Sequence, residues 1–250
     1  MNLSLENKVA LITGASRGIG RAIALGMAQS GANLVIASRK KDDLEKVAGE
    51  IRQTGKKCLA LPAHVGRLEE IPALIDKAMA EFGRIDILVN NAATNPSMAP
   101  AIDIDERAWD AIMNLNLKGL FFLSQAAAKI MKNHGGGKII NVASVAGITP
   151  DILPVYSISK AAVIMATKVM AQQWAIYNIR VNAIAPGLTK TRFSEALWKN
   201  QDILNVAMSR TPLGRPAEPD EMVGAVIYLA SDASSYVTGQ VLAIDGGLTI

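Results

Sequence analysis

The sequence predicts a single-domain, doubly wound α/β fold with a seven-stranded parallel sheet flanked by helices. Short apolar runs alternate with longer helical stretches from end to end, the signature of repeated strand–helix–strand units. The apolar runs are nearly continuous, as in strands covered on both faces. A glycine-rich turn, "TGASRGIG", separates the first apolar run from the first helical one.

The elements follow in order. "KVALIT" is a short apolar strand, and "IGRAIALGMAQSG" has helical spacing that stops at Gly31, a C-cap residue type. "NLVIAS" is the second strand. "KDDLEKVAGEIRQTG" is an amphipathic helix closing at Gly55. "KCLALPAHV" supplies a third strand, "LEEIPALIDKAMAEFG" a helix and "IDILVNNA" a fourth strand. The stretch "DERAWDAIMNLNLKGLFFLSQAAAKIMKNHGGG" predicts one long helix and a glycine break, and "GKIINVAS" the fifth strand. A second long helix covers 156–177, "IRVNAIAP" is the sixth strand and "QVLAIDGG" the seventh. Residues 187–216 are irregular and carry Phe193, Leu197 and Trp198. Ligands of such sheets bind outside the carboxyl ends of the strands, so this segment is expected to be a substrate lid. The competing reading is an ordinary surface hairpin with its aromatics packed inward.

Composition narrows the function classes. Half of the 250 residues are apolar, and α/β domains of this length bury a sizeable core. The net charge of +4 is spread among interleaved acids, which suits a small anionic ligand and speaks against nucleic acid. No apolar run is long enough to span a bilayer, so no membrane is expected. Without a secretory leader pattern or a peroxisomal address, the expected compartment is cytoplasmic. Cys58 is alone, so no intrachain disulfide can form, and a small buried hydrophobe is expected there. With two isolated histidines and one cysteine, no metal site is expected.

The glycine turn carries Gly14, Gly18 and Gly20 between a strand and a helix. Backbone lacking side chains can approach a pyrophosphate there, with helix-start N–H groups aimed at it. At the end of strand two, where an acid would hold the ribose 2′-hydroxyl, stand Ser38, Arg39 and Lys40. An arginine can grip a 2′-phosphate that an acid would repel, and Arg17 adds a second cation. The pattern predicts NADP(H) rather than NAD; the alternative is that these cations form a solvated helix start. Further on, "PVYSISKAAV" sets Tyr156 and Lys160 on one helix face, one turn apart.

With "NNA" at Asn90–Ala92, Asn116 in "NLNLKG", Ser144 in "NVASVAG", "YSISK" and "APG" at Ala185–Gly187, the chain resembles the short-chain dehydrogenase/reductases along nearly its whole length. The resemblance implies a Rossmann fold, a homotetramer built on the two long helices and the C-terminal segment, and a small carbonyl or alcohol substrate. It places the catalytic set on Asn116, Ser144, Tyr156 and Lys160, with Asn116 holding a water of the proton relay and Lys160 also bonding the nicotinamide ribose. It places the cofactor on Gly14, Ser16, Arg17, Gly18, Ile19, Ser38, Arg39, Val65, Asn91, Ala92, Tyr156, Lys160, Pro186, Gly187, Leu188 and Thr189. Asn91 and Ala92 would stand beside the adenine ribose, and residues 186–189 would wrap the nicotinamide amide.

That chemistry accounts for the Tyr–Lys spacing. A phenol near pKa 10 is a poor acid–base group at neutral pH. A unit charge about 4 Å away contributes roughly 4 kcal/mol at an effective dielectric near 20, so Lys160 is expected to lower the Tyr156 pKa towards neutrality. Ser144 would orient the substrate oxygen. Two positions depart from the family pattern: His64 stands where many members carry an Asp that bonds the adenine amino group, and Ala93 replaces a commoner Gly. His134, at a helix end, is expected to make a terminal carbonyl contact. "NAATNP", "APGLTKTRFSEALW" and "PLGRPAEPDEM" look closest to NADP-dependent carbonyl/retinal reductases, with 3-oxoacyl-carrier-protein reductases near, and the lid aromatics imply a partly apolar substrate. The alternatives are an NAD-dependent alcohol dehydrogenase of the same family and a non-catalytic NADP sensor.

Overall fold

The computed structural model describes residues 3–250. Seven strands, β1 (Val9–Thr13), β2 (Asn33–Ser38), β3 (Cys58–Pro62), β4 (Ile87–Asn90), β5 (Gly137–Val142), β6 (Ile179–Pro186) and β7 (Val241–Ile244), form one sheet in the order β3-β2-β1-β4-β5-β6-β7. Every pairing is parallel. The two-residue period of a strand divides the apolar side chains between two cores. Ala10, Ile12, Leu34 and Ile36 face the helices α1 (Gly18–Gln29) and α2 (Lys41–Gln53). Val9, Leu11, Val35 and Ala37 face α3 (Ile71–Phe82) on the other side. Chain order reverses between β1 and β4, which opens the crevice where a ligand of such a sheet binds.

The long helix expected over 106–132 is not uniform. It runs as α4 (Glu106–Met113), a π-helical stretch Asn114–Gly119, and α5 (Leu120–Asn133). The wider turn lies where the loop after β3 presses against the helix. A Cβ on Gly119 would lie 2.2 Å from the Val65 carbonyl oxygen, so only glycine admits this approach. The second long helix, α6 (Pro154–Trp174), starts with Pro at its first position and passes into a 3-10 turn over Ala175–Tyr177. The irregular region after β6 holds two helices, α7 (Glu195–Trp198) and α8 (Gln201–Ser209), before α9 (Val223–Ala230) leads to the edge strand. Asn200 caps α8, accepting from the amides of Asp202 and Ile203.

The two isolated residue types behave as expected. Cys58 is buried, and desolvation pushes its thiol up to about 12. His134 Nδ1 lies 2.8 Å from the Ile130 carbonyl oxygen at the end of α5.

Candidate active site

A cavity of about 570 Å³ runs along the carboxyl ends of the strands. At one end the glycine loop leaves β1. Gly14 and Gly18 have φ values of 65° and 55°, which a side chain would strain. A Cβ on Gly14 would lie 2.7 Å from Asn91 Nδ2. Asn91 clamps this loop: its Nδ2 donates to the carbonyls of Thr13 (2.9 Å) and Gly14 (3.1 Å). Thr13 Oγ1 in turn accepts from the amides of Asn91 and Ala92, each at 3.1 Å. Asn91 thus commits its Nδ2 to the loop while still lining the cavity, a clamp readable only from the packing. The first turn of α1 has no side-chain cap and no acid, so its N–H groups face the cavity without a competitor.

Ser16, Arg17, Ile19, Ser38, Arg39 and Lys40 line the same end. Among the described residues, none of the three cations is in an ion pair, although Asp43 lies on the same wall. Val65 and Ala92 form apolar wall beyond them, with Leu115 of the π-helical stretch. An uncapped helix start, a glycine cradle and three unpaired cations fit the phosphates of a dinucleotide.

At the other end Ser144, Tyr156 and Lys160 converge. Ser144 follows β5 in extended backbone and caps the 3-10 turn Val145–Gly147, its Oγ accepting from the Ala146 amide at 3.1 Å. The Ser144 hydroxyl lies beside the Tyr156 phenol and favours its ionised form. Lys160, 2% exposed, donates from Nζ to the Val142 carbonyl at 2.7 Å. Pro186, Gly187, Leu188 and Thr189 close the wall beside them. Thr189 is buried, with Oγ1 donating to the Gly187 carbonyl at 3.1 Å.

One expectation needs correction. Lys160 does not bring the Tyr156 pKa towards neutrality. Burial pushes the phenol up to about 12, offset only partly by the Ser144 hydroxyl. Burial also pulls Lys160 down to about 8, and its head is committed to a backbone carbonyl. The desolvation of both groups outweighs their attraction. Asn116 does not reach the cavity through its side chain. It is fully buried, with Oδ1 accepting from the Thr94 amide (2.8 Å) and Nδ2 donating to the Thr94 carbonyl and Ser159 Oγ (3.1 Å each). It pins the loop after β4 to α6.

The lid is mixed. Phe193 lies over the site, its ring 5.6 Å from that of Tyr156, and Leu197 packs against the cluster of Ala146, Leu153 and Tyr156. Trp198 is a strut instead, donating from Nε1 to the Thr191 carbonyl at 2.9 Å. Asp151, Ile152, Leu153 and Arg192 also line the cavity and were not singled out from sequence. Their signal was position alone: Asp151–Leu153 fall in the loop between Ser144 and Tyr156.

Comparison with known proteins agrees with this geometry. The family model described as Enoyl-(Acyl carrier protein) reductase matches residues 14–249. A 2-dehydro-3-deoxy-D-gluconate 5-dehydrogenase of Escherichia coli (strain K12) is 43% identical, covering 98% of this chain and 96% of that protein. Dehydrogenase/reductase SDR family member 4 of Oryctolagus cuniculus is 38% identical, covering 97% and 94%. The crystal structure of a gluconate 5-dehydrogenase from Burkholderia cenocepacia J2315, in complex with NADP and tartrate, superposes with a TM-score of 0.95 at 40% identity, covering 99% and 97%. With sheet order, cavity and full-length relatives in agreement, the chain belongs to the short-chain dehydrogenase/reductase family and is an oxidoreductase.

Proposed function

We propose that this oxidoreductase uses NADP(H) to interconvert a ketone or aldehyde bearing an apolar body with its alcohol. The observation that carries the reading is one cavity with the Ser144–Tyr156–Lys160 group at one end and three unpaired cations at the other. Gly14, Ser16, Arg17, Gly18 and Ile19 would hold the pyrophosphate, and Ser38 and Arg39 the 2′-phosphate. Val65, Asn91 and Ala92 would flank the adenosine, with Pro186, Gly187, Leu188 and Thr189 at the nicotinamide amide. The bound cofactor supplies the hydride. Tyr156 then gives its hydroxyl proton to the substrate oxygen, and Ser144 donates a hydrogen bond to that oxygen as charge develops. Lys160 holds the polar floor beneath them, bonded to the Val142 carbonyl, and Asn116 fixes the neighbouring wall. Ile152, Leu153, Phe193 and Leu197 favour an apolar substituent on the carbonyl.

A second substrate class, the hydroxy acids of sugars, is favoured by the gluconate-type relatives and by Arg192 in the cavity lining. The carboxylate of Asp151 on the same lining opposes an anionic substrate. By resemblance, the assembly we propose is a homotetramer.

The test is consumption of NADPH and NADH against aromatic ketones, α-dicarbonyls, retinal, a 3-oxoacyl thioester and oxidised sugar acids. Turnover of an apolar carbonyl with NADPH, falling roughly 10²- to 10⁴-fold in Tyr156→Phe, is the expected result. Turnover confined to sugar acids would move the substrate to the second class. Equal turnover in Tyr156→Phe would sink the proton-donor role.

A further inference from the structure

We propose that the turn after β7 is a specificity element of the site. Asp245 staples it so that Leu248, with Ile203 and Ala207 of α8, forms a far apolar wall that measures the length of the carbonyl's substituent. The inference rests on the reading of the cavity as a carbonyl site.

Strand pairing brings the turn to the cavity. Ile244 pairs with Pro186 at the end of the sheet, and the Gly187 amide donates to the Ile244 carbonyl at 3.0 Å. A Cβ on Gly187 would lie 2.9 Å from the Asp245 Cα. The chain therefore leaves β7 against the wall that closes the Ser144–Tyr156–Lys160 end.

Gly246 and Gly247 then take φ values of 66° and 89°, two left-handed steps that make a tight turn. Their bare backbone admits the segment after α8. A Cβ on Gly246 would lie 2.9 Å from Thr211 Cγ2, and one on Gly247 2.8 Å from Pro212 Cγ. The Gly246 carbonyl accepts from the Leu213 amide at 3.0 Å. Thr211 Oγ1 in turn donates to the Ala207 carbonyl at 2.9 Å, which ties the same segment to α8.

Leu248 lines the cavity from this turn, and Ile203 and Ala207, one helical turn apart, line it from α8. None of the three side chains can hydrogen-bond a substrate. What they add is burial of apolar surface.

The position of Leu248 is set by one carboxylate. Asp245 Oδ1 accepts from the Gly247 amide at 3.0 Å, and Oδ2 accepts from the Thr249 amide (3.0 Å) and Thr249 Oγ1 (2.6 Å). The residues on both sides of Leu248 are thus tied to Asp245. Packing alone does not hold the turn, because a second cavity of about 80 Å³, lined by Met208, Leu213, Asp245 and Gly246, borders it. Groups facing a void lose contacts on that side, so the hydrogen bonds of Asp245 keep Leu248 in place. Asp245 is a positioning residue.

Each methylene that a substrate buries strengthens binding roughly three- to fourfold. A substituent long enough to reach Leu248 collects that gain, and a short one does not.

The experiment measures kcat/KM with NADPH for straight-chain α-diketones from butanedione to decanedione. The enzymes are wild type, Leu248→Ala, Leu248→Trp, Asp245→Asn and the double variant Asp245→Asn/Leu248→Ala. The readout is the ratio of octanedione to butanedione, which a loss of folded enzyme does not move. The expected wild-type ratio is about tenfold or more. Both Leu248 variants should cut it by about fivefold or more, Leu248→Trp by shifting the best substrate to a shorter chain. Asp245→Asn should cut it as far, and the double variant no further than Leu248→Ala, because Asp245 acts through Leu248. A wild type indifferent to chain length would overturn the proposal, as would a ratio kept within about twofold in both Leu248 variants. A further loss in the double variant would overturn the role of Asp245. Wild type that binds NADPH yet reduces no diketone would remove the carbonyl reading itself, a separate and recognisable outcome.

Discussion

At the scale of single residues, the site is governed by desolvation. Tyr156 is held protonated to about 12, so as the acid of a reduction it is fully loaded across the working range. In the reverse direction the phenolate is needed, and its population rises tenfold for each pH step of one. Lys160 carries charge below about 8 and loses it above. The expected profile follows in sign: the reduction rate is flat with pH, whereas alcohol oxidation rises and bends near pH 8 as the charge that favours phenolate is lost. Measuring kcat in both directions from pH 6 to about 10, with saturating cofactor, checks this. A reduction rate that falls tenfold for each such step above pH 7 would show a Tyr156 pKa near neutrality instead. Tyr156 and Lys160 were legible in the sequence because their spacing encodes a shared helix face, and Ser144 was legible through the family motif around it. Their protonation was not legible, because burial and the Val142 carbonyl are supplied by elements far along the chain.

At the scale of elements, the strand–helix alternation was legible because parallel strands covered on both faces need continuous apolar runs. The π-helical stretch was not: its cause, the approach of the Val65 carbonyl to Gly119, joins residues more than fifty positions apart. A polar ladder inside the core was hidden for the same reason. Asn90 of β4 donates from Nδ2 to Ser124 Oγ on α5 (2.8 Å) and to Asn141 Oδ1 on β5 (2.9 Å). Asn141 Nδ2 donates on to Thr167 Oγ1 of α6 at 2.9 Å. All four residues are buried, so each unmet group would cost its desolvation. Asn141→Ala removes the middle rung and leaves Asn90 and Thr167, on two elements, each one hydrogen bond short. The expected loss is about 2–3 kcal/mol in urea unfolding at fixed protein concentration. A loss under about 0.5 kcal/mol would mean that water or repacking replaces the ladder.

At the scale of the whole molecule, the outer face of α6 is the feature a lone chain leaves unexplained. Ile158, Met165 and Val169 fall seven and eleven positions apart, on one stripe, and Met165 is 58% exposed. Trp109, 40% exposed, stands on α4, which packs beside α6. An apolar patch of this kind on a well-packed domain marks a protein interface. The same helix carries Tyr156 and Lys160 towards the opposite, cavity side, so a partner covering its outer face would also hold the catalytic group in place. We therefore expect a homo-oligomer joined through α6, with the tetramer as the full assembly. Met165→Glu would bring like charges of two copies into one buried seam, which is costly in a desolvated contact. Light scattering after gel filtration should show the variant's mass falling by half or more, with turnover falling alongside. A wild type that runs as a monomer at micromolar concentration would overturn this, and the stripe would then need a partner of different chemistry. A dissociated variant with full turnover would leave the interface standing and show that α6 holds its catalytic face unaided.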